Sequence, residues 1–394
     1  MLKRVQIENF RSCQRVVLDD LGPLNVLVGR NAVGKSNILR AISWIANYAT
    51  SQTAPTFSDL NLGTTRVTIQ VVVDEDTYDY SFTANTGYSP ASKGRDVEII
   101  ETLDQQHSSD APEPLFNRDG EEVKLRGGQV VSIGAGASCM PALVSVLPPD
   151  SGPVRLLRPL LRNLETIRYY PLEPTTDQFH MFLVRQSEYD GWVARNRGTD
   201  TPAQAVMMRL LDMGLTREDE FSEVKQLLGR DGLGLIDDMR VEKVQSERGS
   251  EKEDKNRYYY LSFRPALQPR ENPRYFWFDG LSSGTQRLVA IITAMIYDHS
   301  AVMLLEHPED GIHRALLRKL IGVLQAYSGQ SQLIIASHSA DVFNALDPAA
   351  VRLVTMEDGQ TGVRKLTAEE VQAAAKYLEE EGSLADFLEI VADD

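Results

Sequence analysis

The chain has 394 residues, 42% of them hydrophobic and 25% charged, the proportions of a folded water-soluble protein with ample apolar material for a core. It has no run of about eighteen apolar residues, no apolar leader, and only two cysteines, so we expect a cytoplasmic protein without a membrane span, disulfide framework or cysteine metal cluster. The formal net charge of −15 disfavours broad, non-specific binding to nucleic acid, because an acidic surface repels its phosphate backbone.

The most informative early segment is Gly29–Ser36, which fits the phosphate-loop pattern G-x-x-x-x-G-K-[ST]. An apolar run at Leu24–Val28 predicts a buried strand before it, and apolar residues at helical spacing from Ile38 predict a helix after it. The glycines let backbone N–H groups wrap a phosphate, and the helix N-terminus adds partial positive charge. The sequence therefore predicts a nucleotide-binding loop, and the alternative is a plain glycine-rich turn.

Each part of this loop has an expected role. Lys35 would reach the β- and γ-phosphates, and the Ser36 hydroxyl would bind Mg²⁺. The residues expected to contact the nucleotide are Arg30, Asn31, Ala32, Val33, Gly34, Lys35, Ser36 and Asn37. ATP and Mg²⁺ are accordingly the expected ligands.

The middle of the chain changes from strand-like to helical patterns. Alternating or β-branched runs predict strands at Thr65–Val73, Tyr78–Phe82 and Asp96–Ile100. Residues 154–240 have helical periodicity, and the charged segment Glu247–Asn256 predicts a hairpin tip or flexible loop. Strand-like segments follow at Tyr258–Phe263 and Tyr275–Phe278.

One basic stripe stands out against the acidic background. Arg155, Arg158 and Arg162 lie at the helical spacing i, i+3, i+7, although Pro159 interrupts the pattern. A solvated helix face explains this stripe better than a contact with nucleic acid or a partner protein. Nucleic acid therefore stays a partner that the sequence permits and does not indicate.

From residue 283 the pattern returns to alternating helices and strands. Apolar runs predict strands at Val302–Leu305 and Gln332–Ala336. Helices are expected after residue 283, at 313–327 and at 340–346, and a hairpin and an acidic helical tail follow.

Three segments in this part are similar to motifs of ABC-type ATPases. Leu281–Arg287 resembles the L-S-G-G-Q signature, with Ser283 in place of the first glycine and Thr285 in place of the glutamine. In that family the signature meets the γ-phosphate held by the other subunit. The resemblance implies that Ser282 and Gly284 contact phosphate, with Ser283 in the same nucleotide-binding turn.

The second and third segments resemble a Walker B strand and an H-loop. In Ala301–Glu309, Pro308 sets the register, so that Glu306 falls on the aspartate that orients Mg²⁺ and His307 on the catalytic glutamate. In the third segment, His338 follows a strand and falls on the histidine that senses the γ-phosphate. The resemblance thus implies a catalytic group of Glu306, His307 and His338, with Ser36 and Glu306 at the metal. A register slip that makes Glu306 the base is the alternative.

The order of the four motifs resembles the RecF/SMC/OLD branch of ABC-type ATPases, including compact AAA family ATPases of bacterial defence systems that lack a Toprim domain. Strands and helices fill the long interval between Ser36 and Leu281. Further similar segments are Ile7–Ser12 and Glu309–His313. The resemblance covers residues 1–48 and 275–345 closely and the middle only in outline.

This resemblance implies an α/β fold, an ABC-type P-loop ATPase head with an antiparallel β lobe and an inserted α-helical lobe. Residues 1–150 would form the N-terminal half of the core with the β lobe, and residues 151–245 the helical lobe. Residues 246–348 would form the C-terminal half, and residues 349–394 the hairpin and acidic tail.

The histidine at position 307 and the placement of the signature imply a mechanism. Mg²⁺-bound phosphates beside His307 favour its imidazolium form, which cannot take a proton from water, so slow hydrolysis is the hypothesis. In the family's geometry the phosphate loop and the signature of one chain lie at opposite ends. A homodimer that sandwiches two ATP molecules is therefore expected, and whether dimers assemble further stays open.

Four functions are compatible with these motifs. The first is a regulatory ATPase of an antiviral or DNA-damage-sensing system that controls a separate effector, a nuclease or toxin, because the segment after His338 is short for a nuclease domain. The second is a RecF-like DNA repair or recombination clamp, which the net charge disfavours. A transporter subunit is disfavoured by the long interval between motifs, and a module that uses ATP only structurally stays open because of His307.

Overall fold

The protein is described here by a computed structural model that covers residues 1–51, 57–89, 94–107, 111–134, 136–171, 183–196, 205–245, 257–267, 271 and 274–379. The chain divides into two compact units. The first unit comprises Met1–Tyr169, Ser300–His307 and Tyr327–Asp394, and the second comprises Tyr170–His299 and Pro308–Ala326. The charged segment Glu247–Asn256 and the end of the acidic tail, residues 380–394, lie outside the described residues.

The described secondary structure alternates between long strands and helices. The strands are β1 (Leu2–Phe10), β2 (Cys13–Leu18), β3 (Leu24–Val28), β4 (Gly63–Val73), β5 (Asp76–Ser89), β6 (Gly94–His107), β7 (Glu113–Asp119), β8 (Glu122–Leu125), β9 (Val130–Ser132), β10 (Ile167–Tyr170), β11 (Val184–Arg185), β12 (Ile236–Gln245), β13 (Arg257–Pro265), β14 (Val302–Glu306), β15 (Gln332–Ser337), β16 (Val351–Glu357) and β17 (Gln360–Lys365). The helices are α1 (Lys35–Thr50), α2 (Cys139–Val146), α3 (Gly152–Glu165), α4 (Gln186–Asn196), α5 (Ala205–Thr216), α6 (Glu218–Leu228), α7 (Ser283–Tyr297), α8 (Arg314–Tyr327), α9 (Ala340–Phe343) and α10 (Ala368–Glu379).

The first unit contains a six-stranded sheet in the order β10-β14-β15-β3-β16-β17. β14 is parallel to β15, and β3 is parallel to both β15 and β16, whereas β17 pairs with β16 in the antiparallel direction. Every residue of β14 and β15 is buried. Such continuous burial is expected of parallel strands that are covered on both faces.

A second, antiparallel sheet of eight strands belongs to the same unit, in the order β2-β1-β4-β5-β6-β7-β8-β9. Along β4 the buried side chains of Val67, Ile69 and Val71 alternate with more exposed polar ones, as a strand with one covered face requires. The predicted α/β class with an antiparallel β lobe is confirmed.

Helix α1 carries the core that joins these two sheets. It contacts β1 and β4 of the antiparallel sheet and β14 and β15 of the six-stranded sheet. Its apolar residues Ile38, Leu39, Ile42 and Ile45 are fully buried, and burial of one such side chain contributes about 1.5–3 kcal/mol. Because α1 begins at Lys35, this packing fixes the position of the phosphate loop.

A fully buried polar cluster lies at the other end of α1. The carboxylate of Glu101 accepts hydrogen bonds from the hydroxyls of Tyr48, at 3.0 Å, and Tyr80, at 2.6 Å. It also pairs with Arg118, whose Nη1 lies 2.5 Å from Oε1, and both of these side chains are 0% exposed. The backbone N–H of Cys139 donates to the same carboxylate. The cluster thus ties α1 to β5, β6, β7 and α2.

The second unit combines helices with a three-stranded antiparallel sheet in the order β11-β13-β12. Helices α5, α6 and α7 pack against one another. Between α5 and the end of α7, Arg209 Nε lies 3.1 Å from Asp298 Oδ1, and both side chains are 1% exposed. The Tyr170 hydroxyl donates to the same aspartate.

Three local expectations differ from the structure. The helical pattern expected to reach residue 240 ends earlier, because β12 begins at Ile236 and pairs along β13. In Tyr275–Phe278 only Phe276 forms a bridge, to Phe263, and a 3-10 helix begins at Phe278. Pro159 does not interrupt α3, since the buried apolar face of this helix outweighs the lost hydrogen bond.

Other expectations hold. The strand at Leu24–Val28 is confirmed residue for residue. Arg155, Arg158 and Arg162 of α3 are exposed, which is compatible with a solvated face and equally with a contact to a partner, so the choice between them stays a prediction. The division into four segments at residues 150, 245 and 348 stays a prediction.

Within the described residues, no helix combines the length and apolar character needed to cross a bilayer.

Candidate nucleotide-binding site

The phosphate loop connects β3 to α1 and places a glycine at the helix boundary. Gly34 is the N-cap of α1 and has φ 103°, in the left-handed region that glycine adopts without strain. Ala32 also has a positive φ of 66°. The first turn of α1 contains no acidic residue, and the first N–H groups of a helix have no acceptor within the helix. The chain thus presents backbone donors where an anion is expected.

Gly34 is also required by its neighbours in space. A Cβ atom at this position would lie 2.0 Å from Thr361 Oγ1 on β17. The Thr361 hydroxyl is hydrogen bonded to Ser12 Oγ at 2.8 Å, and Asn37 Nδ2 donates to the same Ser12 oxygen at 2.8 Å. The loop is therefore braced by the β1–β2 turn and by the C-terminal hairpin. Sequence reasoning missed Thr361, whose distance along the chain hides this contact.

Lys35 is turned into the loop. Its Nζ donates to the carbonyl oxygens of Gly29, at 2.8 Å, and Arg30, at 2.7 Å, and the residue is only 4% exposed. The ammonium group therefore already lies inside the curve of the loop. Among the other predicted contacts, Arg30, Asn31 and Ala32 are exposed, Ser36 and Asn37 are half-buried, and Val33 and Gly34 are buried.

Three parallel strands bring the remaining predicted residues to the same sheet edge. In the sheet register Glu306 pairs with Ala336, and Ser337 pairs with Val28, the last residue before the phosphate loop. The carboxyl ends of β3, β14 and β15 therefore meet, and ligands of parallel sheets bind at such an edge. The structure thus gathers Glu306, His307 and His338 at the edge from which the loop starts.

Glu306 is held at the end of β14 and is 8% exposed. Along a strand, alternate side chains share a face, so Glu306 points to the same face as Val302 and Leu304, which belong to the core around α1. The hydroxyl of Tyr169 donates to Oε2 of Glu306. A hydroxyl from Ser36 and a carboxylate from Glu306 are hard oxygen donors of the kind that Mg²⁺ prefers, so the donor set fits this metal.

The two predicted histidines touch each other. The Nδ1 atoms of His307 and His338 lie 3.1 Å apart, and the ring centroids are 5.0 Å apart. His307 has a positive φ of 47°, and its N–H donates to the carbonyl of Ala336 at 2.9 Å. In a hydrogen bond between two imidazoles one nitrogen donates and the other accepts. This direct contact was not expected from the sequence.

The signature segment lies in the second unit and opens α7. Ser282 is the N-cap of this helix: its Oγ accepts from the N–H of Thr285 at 3.2 Å. Ser282 and Ser283 are exposed, while Gly284 is buried, and a Cβ there would lie 2.3 Å from the carbonyl oxygen of Gly311. Contact of these serines with a nucleotide stays a prediction.

Two family models match the chain. A model described as "AAA ATPase domain" matches residues 1–109, and one described as "AAA domain, putative AbiEii toxin, Type IV TA system" matches residues 214–344. The first match contains the phosphate loop. The second contains the signature segment, Glu306, His307 and His338.

Matches to individual proteins are more local. The chain is 30% identical over 75 residues to the DNA replication and repair protein RecF of Bifidobacterium longum subsp. infantis, covering 19% of this chain and 18% of RecF. It is 51% identical over 45 residues to the OLD nuclease of Thermus scotoductus, covering 11% of this chain and 8% of that protein. The chain thus spans less than a fifth of the length of these relatives.

A solved structure of an SMC head bound to the C-terminal winged-helix domain of ScpA is similar over 94% of this chain and 99% of that chain, with 13% identity and a TM-score of 0.46. The family models and the local relatives match the two parts of the chain that carry the four motifs. These matches support the resemblance to ABC-type ATPases of the RecF/SMC/OLD branch that the four motifs indicate.

Proposed function

We propose that this chain binds Mg·ATP at the sheet edge formed by the phosphate loop, Glu306, His307 and His338, and that it hydrolyses the nucleotide slowly. One observation carries the proposal: β3, β14 and β15 end together, so that residues distant in sequence surround one potential phosphate site. Bound Mg²⁺ would supply neutralising charge at the phosphates, with Ser36 and Glu306 as its protein ligands.

In this proposal Lys35 exchanges partners when ATP arrives. Its ammonium now donates to the carbonyls of Gly29 and Arg30, and the same donors would turn to phosphate oxygens. Because Lys35 is already buried within the loop, little side-chain freedom remains to be lost on binding. The N–H groups at the start of α1 would add further donors.

The histidine at position 307 supports slow hydrolysis. The family places a carboxylate where His307 stands, to orient and deprotonate the attacking water. An imidazole next to negatively charged phosphates favours its protonated form, which cannot accept that proton. The protein would therefore remain ATP-bound for long periods, as suits a switch more than a motor.

We further propose a homodimer in which each ATP is held by the phosphate loop of one copy and by Ser282, Ser283 and Gly284 of the other. Support comes from the exposure of both serines at the N-terminus of α7. Because the γ-phosphate would complete contacts only in the closed dimer, ATP binding would drive closure.

The biological role that we propose is control of a separate effector, a nuclease or toxin, in antiviral defence. The match to a model named for a putative toxin system and the local similarity to an OLD nuclease support this role. A RecF-like DNA repair clamp is the second candidate, and the similarity to RecF supports it.

Two measurements separate these roles. ATP-dependent binding to a DNA duplex, measured by fluorescence anisotropy, favours the clamp. Loss of phage protection in Lys35→Ala cells, without such DNA binding, favours the defence role.

The first test is calorimetry of Mg·ATP with the wild type, with Lys35→Ala and with a matched control, Lys124→Ala. Lys124 is a lysine whose side chain is 68% exposed on β8. Loss of charge-assisted hydrogen bonds should weaken ATP binding at least about tenfold in Lys35→Ala, and the control should bind like the wild type. Equal affinities in all three proteins would refute ATP binding at this loop.

A second test concerns the dimer. Sedimentation with Mg·ATP should give a dimer for the wild type. Ser282→Arg, which places a long side chain in the proposed shared contact, should bind ATP and stay monomeric. A wild type that remains monomeric with saturating ATP contradicts the sandwich, whatever its affinity for the nucleotide.

A further inference from the structure

A tyrosine on the neighbouring strand touches the acidic residue proposed to hold Mg²⁺. Tyr169 lies on β10, which pairs with β14 at the edge of the six-stranded sheet. Its hydroxyl donates to Oε2 of Glu306. Nothing in the motifs points to this residue, which lies between the phosphate loop and the signature in sequence.

We propose that Tyr169 is a positioning residue for Glu306: its hydroxyl bonds Oε2 and so restricts the orientation of the carboxylate that would bind Mg²⁺. This inference rests on the proposed function, because it assigns a partner to the same metal site. The inference concerns only Tyr169 and Glu306, and it does not depend on which effector the protein controls.

The need for such a positioning residue follows from the identity of residue 306. The position carries glutamate where the family pattern has aspartate, and glutamate has one more rotatable bond between the backbone and the carboxylate. That extra torsion adds rotamers, which must be restricted before the carboxylate can bind in one geometry. A fixed hydroxyl on the adjacent strand supplies this restriction.

Tyr169 is suited to be a fixed donor. The residue is half-buried and packs against the core around α1. A phenol keeps its proton at physiological pH, so the Tyr169 hydroxyl can donate a hydrogen bond. Arg40 Nε lies 3.5 Å from the Tyr169 hydroxyl. Since Arg40 is on α1, the helix that begins at the phosphate loop also reaches the group that holds Glu306.

A purely structural role for this contact predicts a different result. If Tyr169 only satisfied a buried carboxylate, its loss would lower the stability of the protein and leave the magnesium dependence of ATP binding unchanged. If it positions Glu306, its loss should change the response to Mg²⁺ and leave metal-free ATP binding unchanged.

The experiment compares Tyr169→Phe with the wild type and with a matched control, Tyr78→Phe. Tyr78 is buried, whereas Tyr169 is half-buried, and the Tyr78 hydroxyl likewise donates to a carboxylate, that of Asp76 at 3.4 Å. ATP affinity is measured by calorimetry in EDTA and at increasing free Mg²⁺. For Tyr169→Phe we expect the Mg²⁺ concentration at half-effect to rise about tenfold, the loss typical of one hydrogen bond to a charged group.

Affinity in EDTA should stay within about twofold of the wild type, and Tyr78→Phe should match the wild type under both conditions. In a Glu306→Gln background, removal of the Tyr169 hydroxyl should have no further effect on the magnesium response. An unchanged Mg²⁺ midpoint in Tyr169→Phe overturns this inference alone. A wild type that binds no ATP, or binds it equally with and without Mg²⁺, overturns the proposed function instead.

Discussion

The buried carboxylate of Glu101 offers the sharpest prediction about stability. Glu101→Gln keeps the size of the side chain and removes its charge. Arg118, fully buried and 2.5 Å from Glu101, would then be a buried cation without its counter-charge. The new amide also has an NH₂ group, which donates and cannot accept. If this group takes the place of Oε1 it faces the donor Arg118, and if it takes the place of Oε2 it faces Tyr80 and the N–H of Cys139. The substitution therefore breaks both the charge balance and the hydrogen bonding.

The expected loss is about 3–5 kcal/mol in the free energy of unfolding, the cost of removing one partner from a buried ion pair. The unpaired donor belongs to the same group of atoms, so its penalty of about 1–3 kcal/mol is not simply added. A matched control is Glu122→Gln, which removes one partner of an exposed pair with Lys124, 3.5 Å apart with side chains 58% and 68% exposed. Such a surface pair contributes at most about 1 kcal/mol.

Urea unfolding measures both variants. Trp44 provides a local signal, because its ring stacks on Tyr48 with centroids 5.5 Å apart, and Tyr48 donates to Glu101. The fluorescence midpoint of Glu101→Gln should fall well below that of Glu122→Gln. If the two variants unfold at the same urea concentration, the cluster is not the anchor of α1 that its geometry indicates.

The remaining predictions concern the site and the solvent. In His307→Glu, a restored general base should raise the rate of phosphate release at least about tenfold, and an unchanged rate would mean that His307 does not limit hydrolysis. Burial raises the pKa of the Cys13 thiol to about 11, so it should not react with a disulfide reagent at pH 8 until urea unfolds the protein; rapid reaction in the native state contradicts this burial. Burial alone would raise the pKa of Asp238, but hydrogen bonds from Tyr275 and Lys225 hold this pKa well below its ordinary 3.8. The ionised form therefore stabilises the folded protein, and Asp238→Asn should be less stable than the wild type at pH 7. This difference in the free energy of unfolding should shrink progressively as pH falls below about 4. A stability gap that is constant down to pH 2 would show that these contacts do not favour the ionised form.

Much of the candidate nucleotide site could be predicted from the sequence because its parts are local. The phosphate loop needs a strand, two glycines, Lys35 and a helix within a short segment, and all of these follow from residue order. The N-cap at Ser282 and the strand that ends at Glu306 are equally local, since capping and apolar runs act over a few residues. Pro159 shows the limit of such reasoning: its local penalty is real, yet packing of α3 against the core overrides it.

The sequence by itself determined the phosphate-loop pattern, the acidic residue and the two histidines that we propose for the site, and the buried strands that carry them. Only the tertiary structure decided that His307 contacts His338, that the Tyr169 hydroxyl donates to Glu306, that Thr361 packs next to Gly34 and that Glu101 pairs with Arg118. The physical reason is that hydrophobic periodicity specifies which face of a strand or helix is buried, whereas neighbours across a sheet depend on strand order and register. Those are decided by the packing of the whole unit around α1.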